Sequence, residues 1–220
     1  MSVLADAKAR DIELVDGLRS LGLSLSSAAC AKLDAYVALL AKWNRTYNLT
    51  AIREPARMVT HHLLDALAVL PHLPQREFLR VLDVGAGAGV PGIPLGIARP
   101  HWSIVLVDSN QKKVAFLTQA AIELALPNVH AIATRIEDLS DEPSFDVVIA
   151  RAFADLRTFA QLSARHLSPS GRLYAMKGAL PEEEISALPL SIEVVTAPAL
   201  HVPGLDAERH LVVLRNRVAA

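Results

Sequence analysis

Apolar residues recur at helical spacing through the first third of the chain and in short β-branched runs after it. Leu33, Tyr36, Val37, Leu40 and Trp43 or Asn44 fall three and four residues apart, which is one face of a helix. Ser26 or Ser27 supplies an N-cap, and Asn48-Leu49-Thr50 an exit. An earlier helix is predicted from Ala5 to Leu21, ending at Gly22. Another starts near Glu54-Pro55, since a first-turn proline loses no helical hydrogen bond. Its stripe is Val59, Leu63, Ala66, Leu67 and Leu70, and Pro71 and Pro74 stop it.

Between Pro74 and Arg80 the pattern changes. Strands are predicted at Arg80–Val84, Ser103–Val107, Val129–Thr134, Phe145–Ala150, Arg172–Met176, Ile192–Thr196 and His210–Leu214. Helices are predicted at Lys112–Leu126, Asp155–Leu167 and Pro181–Leu188, the second stopped by Pro169 and Gly171. Strand–helix alternation predicts a parallel sheet covered on both faces, a doubly wound α/β fold. The last two strands lack a crossover helix, so they are expected to pair antiparallel at the sheet edge. The expected division is an N-terminal helical region over 1–75 and an α/β domain over 76–220.

Composition narrows the class. Of 220 residues, 52% are apolar and 20% charged, so the chain can bury a sizeable core and is not disordered. Its formal net charge of -1 excludes a highly basic nucleic-acid wrapper but not a local basic patch. Cys30 is the only cysteine, which excludes an intrachain disulfide and a Cys-rich zinc or iron–sulfur site. Met1–Arg10 carries charges and no apolar signal core, and no stretch is apolar enough to span a membrane. A cytoplasmic protein is expected.

The candidate chemistry begins at Asp83-Val84-Gly85-Ala86-Gly87-Ala88-Gly89, between the first strand of the sheet and the next helix. Glycines there permit a sharp turn and leave no side chain between backbone and ligand. The helix N-terminus adds N–H donors. Asp108, at the end of the next strand, can accept both ribose hydroxyls of an adenosine. The G-x-G-x-G spacing and the carboxylate of Asp83 favour S-adenosyl-L-methionine over a dinucleotide, because Asp83 would repel a pyrophosphate. The plainer alternative is a tight turn with packing glycines. Ile136-Glu137-Asp138 occupies the region expected to meet the adenine; Glu137 can accept its amino group or simply face solvent.

The strand ending in Ala150-Arg151-Ala152-Phe153-Ala154 is expected to face the methyl acceptor. It holds neither the Asn/Asp-Pro-Pro-aromatic clamp of exocyclic-amine methylation nor a nucleophilic cysteine. A ring nitrogen with a free lone pair remains, and its methylation depends mainly on alignment. Arg151 can orient such a reaction, through the cofactor carboxylate or guanine O6; a salt bridge to Asp83 is the structural alternative. Asn44, Arg45, Tyr47, Asn48 and Arg53 suit phosphate contact and base stacking, while Trp43 and Tyr47 equally suit a helix-face core. Lys177, Arg209 and His210 are candidates to line the same mouth. His61, His62 and Asp65 are expected to cap or pack rather than bind metal. Glu182-Glu183-Glu184 reads as an acidic first helical turn.

These residues resemble the bacterial 16S rRNA guanine-N7 methyltransferases, the glucose-inhibited division protein B family. The resemblance rests on Trp43-Asn44-Arg45-Thr46-Tyr47-Asn48-Leu49-Thr50, His62-Leu63-Leu64-Asp65, Asp83 to Pro94, Ala150 to Ala154, Ala175-Met176-Lys177-Gly178 and Glu208-Arg209-His210-Leu211. Ala88 and Ala150 depart from the family's frequent Pro and Ser. The resemblance implies a Rossmann-like methyltransferase domain and methyl transfer from S-adenosyl-L-methionine to guanine N7. It implies 16S rRNA or the 30S subunit as partner. It carries over Gly85, Val90, Ile136, Glu137 and Arg151 as cofactor contacts, joined on physical grounds by Gly87, Gly89 and Asp108. A monomer without metal is expected. Two other readings stay open: a small-molecule methyltransferase, and a non-catalytic module that senses an adenosine cofactor.

Overall fold

The computed structural model describes residues 3–217 apart from 143, and for 3–9 and 11 the backbone course alone. The outermost ends of the two predicted regions, residues 1–2 and 218–220, lie outside the described residues.

Two helices come first, α1 (Val3–Ser20) and α2 (Ser27–Tyr47). Ser26 caps α2: its hydroxyl accepts from the N–H of Ala29 at 3.2 Å. Asn48 closes the other end in the left-handed region, its N–H donating to the carbonyl of Asn44. The stripe Leu33, Tyr36, Val37 and Leu40 is fully buried. Each such aliphatic side chain contributes roughly 1.5–3 kcal/mol.

The next segment departs from the regular helix predicted. It runs as α3 (Pro55–Met58), a π-helical stretch Val59–Leu64 and α4 (Asp65–Leu67), then a 3-10 turn at Leu70–His72. The N–H of Asp65 reaches back five residues to Thr60. Such widened turns recur at functional sites, and apolar spacing alone does not distinguish them from an α-helix.

The sheet holds β1 (Arg80–Val84), β2 (Ser103–Asp108), β3 (Val129–Ala133), β4 (Phe145–Arg151), β5 (Leu167–Lys177), β6 (Ile192–Thr196) and β7 (His210–Asn216). Their order across it is β3-β2-β1-β4-β5-β7-β6. β1 to β5 are parallel, and β7 runs antiparallel to both β5 and β6. The antiparallel strand therefore sits one place in from the edge, and β6 is the edge. β5 begins earlier than predicted and includes Pro169 and Gly171. A register shift between Phe145 and Val147 accommodates them. The helix before it, α7 (Leu156–Ser163), gives way to a 3-10 turn at Ala164–His166, short of the predicted Leu167.

Alternate strand residues feed two cores. Val81, Ile104, Leu106, Val147 and Ile149 join α1, α2 and the helix α5 (Gly92–Ala98) on one face. Leu82, Val84, Val107 and Val148 meet Leu156 and Phe159 of α7 on the other. This period-two alternation buries both faces. The N-terminal helices thus share a core with the sheet. Because β1 lies between β2 and β4, the chain leaves it in opposite directions, and a crevice opens above the C-terminal ends of these strands. Among the described residues no helix is long and apolar enough to cross a membrane.

Candidate functional site

The glycine turn leaves β1 into that crevice. The N–H groups of Gly85 and Ala86 donate to the carbonyl of Val107, tying the turn to β2. Gly87 has φ +58, and a Cβ there would meet nothing nearer than the Gly85 carbonyl oxygen at 3.7 Å, so it faces open space. A Cβ on Gly85 would lie 2.7 Å from the Phe153 ring. Gly89 has a different role: a Cβ there would collide with Ile93 and Leu117, so this glycine lets α5 and α6 (Gln111–Glu123) approach. Val90 is buried within the apolar core. Gly87, Gly89 and Val90 are not among the residues that line the cavity described next.

A cavity of about 440 Å³ stands over the turn, lined among others by Gly85, Asp108, Ile136, Glu137, Ala152 and Phe153. The Asp108 carboxylate is oriented by two backbone donors, Gly87 at 2.9 Å and Asn110 at 2.8 Å, one on each oxygen. Lys113 Nζ stands 3.7 Å away. Ile136 and Glu137 lie on a 3-10 turn whose carbonyls, with that of Leu139, accept from Nη2 of Arg165. Glu137 is exposed and Ile136 buried.

Beneath the turn, Asp83 is fully buried. Its Oδ2 accepts from the N–H of Gly92 at 2.8 Å, and its Oδ1 has no partner among the described residues. Burial pushes this carboxyl up to about 7, against the opposing pull of the Gly92 N–H and Arg151. A buried, half-satisfied carboxylate beside a glycine turn fits a cationic methionine-type ligand. Tyr36 anchors the turn from α2, its hydroxyl donating to the carbonyl of Ala88 at 2.6 Å. Burial holds that phenol well above its ordinary range.

A second cavity of about 380 Å³ adjoins the first. Ala152 lines both, in the left-handed region at φ +54. Arg151, Lys177, Gly178, Arg209, Met176 and Asp65 complete the second wall. The salt bridge of Arg151 to Asp83, the structural alternative for that arginine, is not formed. Arg151 Nη1 instead donates to Oδ2 of Asp65 and to the carbonyl of His61, both at 2.9 Å. Arg209 Nε donates to Oδ1 of the same Asp65 at 2.8 Å. Lys177 donates to Glu184 at 2.7 Å and to the carbonyl of Ala154. The acidic turn of α8 (Glu182–Ser186) thus supplies a site partner. His210 is outside the cavity lining, its Nδ1 2.9 Å from the Gly178 carbonyl oxygen.

The Asn44–Arg53 segment divides. Asn44 is 4% exposed, so it is not available to RNA. Its amide donates to the Ile52 carbonyl and accepts from the Thr50 N–H, closing the loop after α2. Arg45, Tyr47, Asn48 and Arg53 are exposed, and none of them lines either cavity. Trp43 lies against Tyr47 and Phe116, its ring centroid 5.2 and 5.7 Å from theirs. His62 Nε2 lies 2.9 Å from Thr50 Oγ1. Burial, with the neighbouring Arg151, pushes this imidazole down to about 4, so it is neutral. Among the described residues no group of three or more His, Cys, Asp or Glu could hold a metal.

Tyr36 and Glu184 escaped sequence reasoning as site residues, and the pairing of Asp65 with two arginines did too. Tyr36 reads as helix-face core and Glu184 as a dipole-favoured charge. Only the tertiary fold shows which atoms they reach.

Residues 29–212 match the family described as rRNA small subunit methyltransferase G. Ribosomal RNA small subunit methyltransferase G of Nitrosospira multiformis is 50% identical over 212 residues, covering 93% of this chain and 96% of the relative. That of Azoarcus sp. is 49% identical over 214 residues, covering 97% and 99%. Among solved structures, TrmN from Thermus thermophilus aligns with a TM-score of 0.55 at 21% identity, over 69% of this chain and 48% of that one. MtNAS in complex with MTA and tNA aligns at 0.58 with 14% identity, over 82% and 71%. At these identities the structural likeness speaks for the fold alone. With the family match spanning the glycine turn, Asp65, Arg151 and Arg209, the chain belongs to the rRNA small subunit methyltransferase G family.

Proposed function

We infer that this protein transfers a methyl group from S-adenosyl-L-methionine to N7 of a guanine in the 16S rRNA of the small ribosomal subunit. The observation that carries this is the pair of adjoining cavities joined at Ala152, within a chain of the rRNA small subunit methyltransferase G family. The family membership weighs against a small-molecule methyltransferase or a passive cofactor sensor.

In this reading the first cavity holds the cofactor. Gly85 lets backbone approach it, Gly87 orients Asp108 through its N–H, Asp108 accepts from its ribose hydroxyls, and Ile136 and Glu137 border its adenine. Asp83 offers the unpartnered Oδ1 as a counter-charge below. When bound, S-adenosyl-L-methionine supplies an electrophilic methyl on a sulfonium. The second cavity takes the guanine, with Arg151, Lys177 and Arg209 as its donors. Guanine N7 has its own lone pair and needs no base. The wall accordingly presents cations and a carboxylate held between two arginines, with a buried, neutral His62 behind Arg151. The work of these residues is alignment, which can lower a barrier by roughly 7–11 kcal/mol.

Arg45, Tyr47, Asn48 and His210 serve as outlying RNA contacts. The helical region contributes Asp65 to the acceptor side, and the α/β domain carries the cofactor and the rest of the acceptor wall. The protein acts in the cytoplasm as a monomer, without a metal. The test incubates it with labelled S-adenosyl-L-methionine and either naked 16S rRNA or 30S particles from a strain lacking the activity. Reduction followed by aniline then cleaves the strand at N7-methylguanine. Label in rRNA with no aniline-sensitive site would overturn the N7 assignment, and no label in rRNA would overturn the substrate.

A further inference from the structure

Asp65 is 1% exposed, and its two oxygens accept from two different arginines. Those arginines come from separate parts of the sheet. Arg151 ends β4, Arg209 directly precedes β7, and β5 lies between these strands. The carboxylate itself belongs to the N-terminal helices, at the start of α4 directly after the π-helical stretch. One side chain therefore joins three segments at the wall of the second cavity.

Two guanidinium groups this close repel each other, and the carboxylate between them removes that repulsion and fixes their orientation. Both arginines keep N–H groups beyond the pair. Arg209 commits Nε to Asp65 and Nη1 to the carbonyl of Glu208, and among the described residues its Nη2 has no partner. Arg151 commits Nη1, while its Nη2 lies 3.3 Å from His62 Nδ1. About a quarter of each side chain stays accessible, 26% for Arg151 and 24% for Arg209.

We propose that Asp65 is a positioning residue for methyl transfer, holding Arg151 and Arg209 as a paired fork whose free N–H groups grip an oxygen of the target nucleotide. The inference rests on the rRNA methylation reading above. Both Asp65 oxygens are committed to the arginines, so it acts through them and makes acceptor alignment depend on the helical region.

The experiment compares wild type, D65N, D65E, R209K and D65N/R209K by thermal melting, calorimetric binding of S-adenosyl-L-methionine and single-turnover methylation of saturating rRNA substrate. D65N is expected to melt as a folded protein and to bind the cofactor within about threefold of wild type. Its single-turnover rate is expected to fall roughly 10- to 100-fold, the scale of a misplaced reactant. D65E, which keeps both oxygens, recovers part of the loss. D65N and R209K are expected to be strongly non-additive in the double variant, since each breaks the same fork. An active wild type with an equally active D65N, or additive effects in the double variant, would overturn the proposal while leaving the function intact. A wild type that labels no rRNA overturns the function and the proposal with it. Should D65N fail to fold, R209K decides: lysine keeps the charge but lacks the planar fork, and a wild-type rate would sink the proposal.

Discussion

Replacing Tyr36 by Phe removes one oxygen from a side chain with no exposed surface and keeps its packing volume. The lost hydroxyl donates to the carbonyl of Ala88, itself 7% exposed, in the turn between Gly87 and Gly89. Losing a typical hydrogen bond costs about 0.5–1.5 kcal/mol, and an acceptor left dry costs up to about 3 kcal/mol. Removing the phenol also removes the cost of taking its neutral hydroxyl out of water. The net expectation is a loss of about 1–2 kcal/mol. In a chain of this length that lowers the melting temperature by roughly 2–8 °C. The same hydrogen bond braces the cofactor turn against α2, so affinity for S-adenosyl-L-methionine is expected to fall about 3- to 10-fold. Urea unfolding with an unchanged slope reads the first effect, and calorimetry reads the second. Stability within about 0.3 kcal/mol of wild type, with unaltered affinity, would refute the view that α2 holds the turn in place.

Gly87→Val is expected to abolish cofactor binding, while Gly87→Asn keeps a measurable fraction. The space around Gly87 is open but its φ is +58, a conformation that asparagine tolerates and a β-branched residue does not; equal affinities by calorimetry would count against this. Asn44→Ala should cost about 1–3 kcal/mol in urea unfolding, because its amide closes a loop from inside. Unchanged stability with weakened rRNA binding would return Asn44 to the RNA-facing set. Two buried groups oppose each other in pH dependence. Asp83, raised from 3.8 to about 7, contributes stability that is full below 3.8 and lost as pH rises through 7. His62, lowered from 6.5 to about 4, contributes stability that is present above 6.5 and lost as pH falls through 4. Asp83→Asn leaves only the second, so unfolding free energies between pH 4 and 6.5 should climb more steeply in that variant than in wild type; parallel curves would show that Asp83 titrates normally.

Periodicity along the chain determined most of the architecture. The helix-face spacing of Leu33 to Leu40 and the β-branched strand runs place the elements, because each reports which face is buried. The α2 caps at Ser26 and Asn48 were legible for a similar reason: they act on backbone groups within a few residues. The glycine turn was legible because its residues lie in one contiguous segment directly after β1.

Interactions between distant segments were not legible. That Arg151 pairs with Asp65 rather than Asp83 depends on a π-helical widening and on two strands meeting a helix 86 residues away. Pattern also could not separate Asn44, turned inward to close a loop, from Arg45, turned outward; both are polar residues at the end of one helix. Nor could it tell Gly89, which makes room for two helices, from Gly87, which bends toward open space. Local spacing encodes which residues are buried or capped. The tertiary fold alone decides which buried charge meets which, since electrostatic partners are set by distance through space and not along the chain.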